Sequence, residues 1–311
     1  MGLRIRTNVA SLNAQRRLGM TTDAMNDSGN KLSSGERINK AADDAAGLAI
    51  SENLRADVRS LTQARRNALD GVSLVQTAEG GLIETTNMLV RLRELAVQAA
   101  SDTVGNTERG FLDKEYQALK SEIDRIANST EFNGTRLLVG NRNDLGEELM
   151  GQANAFPLEV QISKDYYPDA DSLGADNPVN IIRIDLQNLN GFSTGENSLQ
   201  INQSMAGEEV AGIDNKVGAQ LSIGRLDDAL SRVNDYRAYL GSIQNRMSSA
   251  INNLGTQIEN LDTARSRIRD TDFASETAEF TKSKILQQAG SSVLAQANQA
   301  PQVVLGLLQS M

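Results

Sequence analysis

LDDALSRVNDYRAYLGSIQNRMSSAINNLGTQIENLDTARSRI, residues 226–268, decides the fold. Leu226, Leu230, Val233, Leu240, Met247, Ile251, Leu254, Ile258, Leu261 and Ile268 keep one three-four register, interrupted only at Arg237, Gln244 and Arg265. About six heptads in one register describe a long helix whose apolar stripe packs against another helix. An earlier block repeats the rhythm: Leu54, Val58, Leu61, Ala68, Val72, Val75, Leu82, Leu89 and Ala96, with Arg65, Glu79, Thr86 and Arg93 out of pattern. Its broken seam suggests a helix in a bundle rather than a pure two-stranded coil. Two such blocks, separated by about 90 residues without that period, pack most simply antiparallel. That arrangement brings the two ends of the chain together.

Between the blocks the pattern changes. Asp102–Thr107 (DTVGNT) interrupts the first helix, and Thr107 is a candidate N-cap for a second helix near 108–128, with Leu112, Tyr116, Leu119, Ile123 and Ile126 as its stripe. Phe132-Asn133-Gly134 is a turn signal. Three short alternating runs follow: LEVQIS (Leu158, Val160, Ile162), IRIDLQ (Ile182, Ile184, Leu186) and SLQIN (Leu199, Ile201). They read as three half-buried strands in a small appendage whose pairing is local. The expected segments are therefore 1–44, an assembly helix and linker; 45–140, the first half of the helical core with the start of a β-hairpin; and 141–215, an acidic β-rich insertion. They continue with 216–270, the second core helix, and 271–311, a terminal helix. The fold class is mainly α: an elongated antiparallel bundle with a β-hairpin and a small β-rich insertion.

Composition narrows the function. The chain has no Cys, His or Trp and only 4% aromatics, so its core is filled by aliphatic side chains, as packed helices allow. Without His or Cys, zinc sites and Ser-His or Cys-His catalysis are excluded. Of the net charge of −9, residues 141–215 carry −10, and residues 1–40 carry +4. An acidic middle disfavours nucleic acid, and the basic charges near the start are scattered without interleaved aromatics. The first residues, MGLRIRTNVASLNAQ, have polar positions throughout, so no secretory signal is expected.

Residues 285–311 contain no charged side chain, yet Gln and Asn interrupt any span, so a membrane helix is not expected. At helical spacing Leu286, Ala289, Val293, Ala297, Ala300, Val304 and Leu307 form a stripe, which can pair with Ile5, Val9 and Leu12 and, after a phase shift, Leu18, Met25 and Leu32. The tail's other face is also poor in charge. One chain cannot bury both faces, and an isolated pair of this kind is marginal. The terminal helices point to assembly from many copies.

The carboxylate pairs carry no enzyme. Asp43-Asp44 reads as an N-cap and first-turn charge for the helix from Ala45, and Glu147-Glu148 and Glu208-Glu209 as solvated loop charges. Adjacent carboxylates seldom converge on a sugar from two sides. No catalytic residue, cofactor site or metal site is expected. Arg91 and Leu95 lie four apart, and a return helix could bring Glu115 beside them, as a contact face or a solvated stripe.

KLSSGERINKAADDAAGLAISENLRADVRSL (31–61), VRLRELAVQAASDT (90–103), EIDRIANSTEFNGTRLL (122–138) and SRIRDTDFASETAEFTKSKILQQAGSSVLAQANQAPQVVLGLL (266–308) resemble, in order and at both ends, the bacterial flagellins. Glu36 departs from that pattern, where an apolar or small residue is more usual, and the middle lacks the large outer domains of some members. The resemblance implies a structural, self-assembling subunit of a hollow extracellular filament that serves motility. Such subunits are exported unfolded through the filament's own channel by a type III route and fold under a cap. The implied partners are other copies, cap and junction proteins, an export chaperone and Toll-like receptor 5, the last through Arg91, Leu95 and Glu115. No nucleic acid or membrane is implied. The nearest alternative is a hook–filament junction protein, which should not polymerise indefinitely. A secreted coiled-coil adaptor, which would form a discrete oligomer, comes next.

Overall fold

The computed structural model describes residues 8–139, 158–165, 180–185, 199 and 212–309, with side chains up to residue 299. Among the described residues there are five helices: α1 Val9–Ser34, α2 Ala45–Ala100, α3 Asn106–Ser129, α4 Lys216–Arg269 and α5 Phe273–Gln309. Two antiparallel pairs of strands accompany them, β1 Glu131–Phe132 with β2 Thr135–Arg136, and β3 Leu158–Gln161 with β4 Ile181–Ile184. The mainly helical class with small hairpins matches the sequence reading. Leu186 and Ile201 of the expected strands, and the pairs Glu147-Glu148 and Glu208-Glu209, lie outside the described residues.

The chain forms two compact units, Met1–Val58 with Glu259–Met311, and Arg59–Ile258. In the second unit α2 and α4 run antiparallel. Lys216 pairs with Asp102 at 2.7 Å, Asp227 with Arg93 at 2.6 Å, and Arg237 with Glu79 at 4.0 Å. One position rises as the other falls. The core of this unit holds Val75, Leu82, Leu89, Leu92, Leu95, Tyr116, Ile123, Leu226, Val233, Tyr236, Leu240, Ile243 and Met247.

Half of the expected seam is displaced by one residue. Leu61, Ala68, Val75, Leu82, Leu89 and Ala96 are buried as expected. Their companions are Ala64, Gly71, Ala78, Thr85 and Leu92, three residues on, not Arg65, Val72, Glu79, Thr86 and Arg93, four residues on. In α4 the companions are Ala229, Tyr236 and Ile243 in place of Leu230, Arg237 and Gln244. The seam has no gap; its second row is largely small. At Gly71 an added Cβ would lie 2.8 Å from the Met247 methyl, so the glycine makes room for a large residue opposite.

Arg109 explains the break between α2 and α3. It is buried and donates to the carbonyl of Ala99 at 2.8 Å in the last turn of α2 and to that of Ser101 at 2.9 Å just beyond it. The helix then restarts at Asn106 with Gly105 as N-cap, not at Thr107. Asn133 and Gly134 both have positive φ, 50° and 79°, as a two-residue turn between β1 and β2 demands.

The insertion's strands pair locally but do not pack as an appendage. Ile182 and Ile184 are buried in the same core as the helices, and so is Leu199. Asn67 of α2 donates to the Gln161 carbonyl at 3.2 Å. On α4, the Tyr239 hydroxyl accepts from the Asp185 N–H at 3.0 Å, and the Tyr236 hydroxyl donates to the Asp185 carbonyl at 3.3 Å. An edge left by β4 is thereby finished by two side chains.

Candidate functional site: the terminal helix pair

The first unit contains α1 and α5 lying antiparallel. The Asn8 amide donates to the Ala297 carbonyl at 2.7 Å, and its carbonyl oxygen caps α1 by accepting from the Ser11 N–H at 3.1 Å. The Ser11 hydroxyl donates to Asn298 at 2.7 Å, and Gln287 donates to Thr22 at 3.4 Å. A Cβ on Gly290 would sit 3.4 Å from Leu18, and one on Gly29 would sit 3.6 Å from Phe280. Ser28 and Ser283 are buried. The two helices therefore meet where small and polar side chains are set against Leu18 and Phe280.

Of the large apolar side chains expected at this contact, Leu18, Met25 and Leu32 are half-buried, Leu18 against Gly290, but four others are largely exposed. Val9 is 55% exposed, Leu12 52%, Leu286 50% and Val293 55%, so they do not form the contact expected between the two ends. Met20, Phe273 and Ile285 are exposed as well. The physical reason is steric: Gly290 and Gly29 leave room at the contact for Leu18 and Phe280, and Val9, Leu12, Leu286 and Val293 fall on other sides of their helices. The side chains of Ile5, Val304 and Leu307 lie outside the described residues. A seven-residue recurrence of small residues, Ser283, Gly290 and Ala297, was the available signal for the true seam. A search for large apolar residues passes over it.

Two linkers close this unit. Gly35, with φ of 72°, ends α1, and Glu36 bridges Asp270 across an antiparallel pairing. The Arg37 N–H donates to the Arg269 carbonyl at 2.7 Å, and the Thr271 N–H donates to the Gly35 carbonyl at 3.0 Å. Ile38 is buried, with its side chain where a Cβ on Gly47 would clash. Asp44 caps α2 by accepting from the Gly47 N–H at 2.8 Å. Asp43 instead accepts from the N–H groups of Asn39 and Lys40, so it ties the linker rather than charging the first turn. Those two donors hold its carboxyl below the usual Asp range.

On the second unit the structure brings Arg91 and Glu115 together. The Arg91 Nη2 lies 2.8 Å and its Nε 3.0 Å from Glu115 Oε1, while Nη1 reaches Glu94 at 3.0 Å. These carboxylates, Glu115 first, raise the Arg91 pKa further. Leu95 does not share this exposed face. It is 1% exposed and belongs to the core, because its position falls on the buried side of α2 beside Leu92. Among the described residues no group of His, Cys, Asp or Glu could hold a metal, and no helix is long and apolar enough to cross a membrane.

A long helical core joined to a terminal pair that exposes its apolar face is the build of a subunit meant for side-by-side packing into a larger assembly. The comparisons give that class its family. Residues 5–143 match the bacterial flagellin N-terminal helical region, and residues 223–308 match the bacterial flagellin C-terminal helical region. The flagellin of Halalkalibacterium halodurans is 41% identical, over 98% of this chain and 99% of that one. The flagellin of Bacillus subtilis is also 41% identical, over 99% of this chain and 100% of its own. A putative flagellar hook-associated protein from Vibrio parahaemolyticus, 13% identical with a TM-score of 0.54, covers 73% of this chain and 100% of its own, and shows the fold alone.

The chain belongs to the bacterial flagellins. It is a structural subunit that polymerises with its own kind into the extracellular flagellar filament, and not an enzyme.

Proposed function

We propose that the exposed apolar residues of the terminal pair, Val9, Leu12, Leu286 and Val293, are the surfaces that neighbouring copies bury in the filament, continued by Ile5, Val304 and Leu307. One observation supports this above the others: Val9, Leu12, Leu286 and Val293 are each half exposed on the pair. Exposed large apolar side chains recurring along both helices support an interaction site. On this reading 1–44 and 271–311 are the assembly segments, 45–140 and 216–270 the core, and 141–215 the outer insertion. Before assembly an export chaperone covers the same apolar face, and cap and junction proteins meet it at the ends of the filament. Removing residues 303–311 tests the proposal. Polymerisation seeded with filament fragments should be abolished while circular dichroism keeps the helical content of residues 45–270. Fibres of normal length from the shortened chain would overturn it.

A second reading concerns Arg91 and Glu115, with Leu95 beneath them. Their exposed, mutually paired position supports a contact face open on the free subunit, for which the proposed partner is Toll-like receptor 5. Arg91 presents a planar fork that can change partners on binding. Arg91→Ala should weaken receptor activation by free subunit more than about tenfold, as loss of a central interface anchor does. Undiminished signalling by folded Arg91→Ala/Glu115→Ala protein would remove the assignment.

A further inference from the structure

Arg109, in the first turn of α3, is 7% exposed, and each nitrogen of its guanidinium has an acceptor. Its Nε donates to the Ala99 carbonyl at 2.8 Å, its Nη2 to the Ser101 carbonyl at 2.9 Å and its Nη1 to the Asn106 side chain at 2.8 Å. One side chain thus joins the end of α2, the turn Ser101–Gly105 and the start of α3. Farther along the same two helices Arg91 meets Glu115, with Nε at 3.0 Å and Nη2 at 2.8 Å from Glu115 Oε1. That pair is open to solvent, with 49% of the Arg91 side chain and 46% of the Glu115 side chain exposed.

The two contacts differ in what they can hold. An exposed ion pair is screened by water and salt and contributes little. A buried guanidinium that loses its acceptors keeps the cost of its desolvation, so its geometry is strongly held. Tyr116, Ile123 and Ala127 also bury α3, but apolar contact is non-directional. Three hydrogen bonds from one planar fork fix distance and angle together. A slip of α3 by one residue would carry Glu115 about 1.5 Å along the helix and about 100° around it, enough to break both bonds to Arg91. Arg91 would still hold Glu94 within α2 through Nη1, so its Nε–H reports on Glu115 and not on Glu94.

We propose that Arg109 is the positioning residue for the Arg91–Glu115 face: it sets the register in which α3 returns along α2, and the exposed pair follows from that register. Its own bonds are to Ala99, Ser101 and Asn106, so it acts through the two helices. The use of the face as a contact rests on the second reading above, whereas the positioning concerns the second unit alone. A face built from two helices keeps its shape only while their register is fixed. A partner then meets Arg91 with its fork already aligned, and less ordering is left to binding.

NMR of the Arg91 Nε–H in the full-length free subunit tests it. In the natural chain this signal should stand apart from that of free arginine and exchange slowly with water. Arg109→Lys keeps the charge and loses the fork. It should move the Arg91 signal toward free arginine and speed its exchange about threefold, as release of an exposed ion pair does. Asn106→Ala, which frees one arm of the fork, should give the same change at smaller size. Val75→Ala loosens the core away from the turn, and at a matched fall in urea midpoint it should leave the Arg91 signal in place. An unmoved Arg91 signal in folded Arg109→Lys protein would overturn the proposal, and so would an equal shift in Val75→Ala. If Arg109→Lys does not fold, an unmoved signal in Asn106→Ala overturns it instead. Receptor activation separates the two readings. If the signal shifts as expected while Arg91→Ala/Glu115→Ala protein signals in full, the receptor assignment falls and the positioning role stands.

Discussion

The core of α2, α3 and α4 buries Leu82, Leu89, Leu92, Leu226 and Val233 completely, whereas the α1–α5 pair leaves Val9, Leu12, Leu286 and Val293 half exposed. Both regions contain antiparallel helices with apolar stripes, and in both a small residue makes room for a large one opposite, but only the core also closes over its remaining large side chains. In the core, Gly71 opens space for Met247, and small positions serve large ones. In the terminal pair Gly290 faces Leu18 and Gly29 faces Phe280 beside the buried Ser28 and Ser283, while Val9, Leu12, Leu286 and Val293 are left outside. A stripe of apolar residues therefore does not say which face a helix turns to its partner within the chain. Which side chains lie against the other helix decides that, and on the proposed reading those left over are the surface for other copies.

The sharpest way to break the comparison is to empty the core from its β side. Replacing residues 150–205 with a short Gly/Ser linker removes Ile182, Ile184 and Leu199. The second unit should lose more than about 4 kcal/mol, since each buried aliphatic side chain contributes about 1.5–3 kcal/mol. Urea unfolding followed by circular dichroism would measure it, and an unchanged midpoint would mean that the insertion is an appendage after all. A paired substitution sharpens the comparison next. Leu95→Ala should cost about 2–4 kcal/mol in the monomer, because it opens a cavity in a closed core. Leu286→Ala should cost less than about 0.5 kcal/mol there, as an exposed site does, while slowing seeded polymerisation. Equal monomer stabilities would erase the distinction between the two regions.

The smallest expected effect is acid loosening of the first linker. Asp43 has its pKa lowered in the folded chain, so its contribution is fully present above the ordinary Asp value of about 3.9. It is lost as pH falls through the lower folded value. Exchange at the Asn39 and Lys40 amides, corrected for the intrinsic effect of pH, should therefore rise only below about pH 4. In Asp43→Asn protein the same amides should exchange faster at neutral pH already. Equal protection at neutral pH would show that other contacts hold this linker.

The long helices were legible because a three-four rhythm sustained over many turns fits a packed helix and neither a strand nor a loop. Their inward face was legible only in part. Val72 and Leu230 pack half-buried against the core and drew attention from Gly71 and Ala229, which are fully buried one position earlier but are harder to notice. The same bias hid the α1–α5 seam, whose Ser and Gly positions look like neutral filler. Leu95 was misplaced for a related reason: its spacing from Arg91 suggests a shared face, but helix neighbours four apart can straddle the edge of a core. The meeting of Arg91 with Glu115 followed from the return of α3 along α2. The contact of Glu36 with Arg269 could not be read from spacing, since it joins residues at opposite ends of the chain through a backbone pairing two residues long.

The docking of β4 by Tyr236 and Tyr239 has an optical consequence. The chain has five tyrosines and no tryptophan, so tyrosine emission is not drained by energy transfer to an indole. Two of the five stack at 6.0 Å between ring centroids and hold the backbone of Asp185 through their hydroxyls. A tyrosine hydroxyl bonded to a backbone group emits differently from one in water. Release of this strand from α4 would therefore change the protein's own fluorescence, with Tyr239→Phe removing one of the two reporting groups. The chain carries a built-in gauge of whether its insertion is seated, with no dye or label attached.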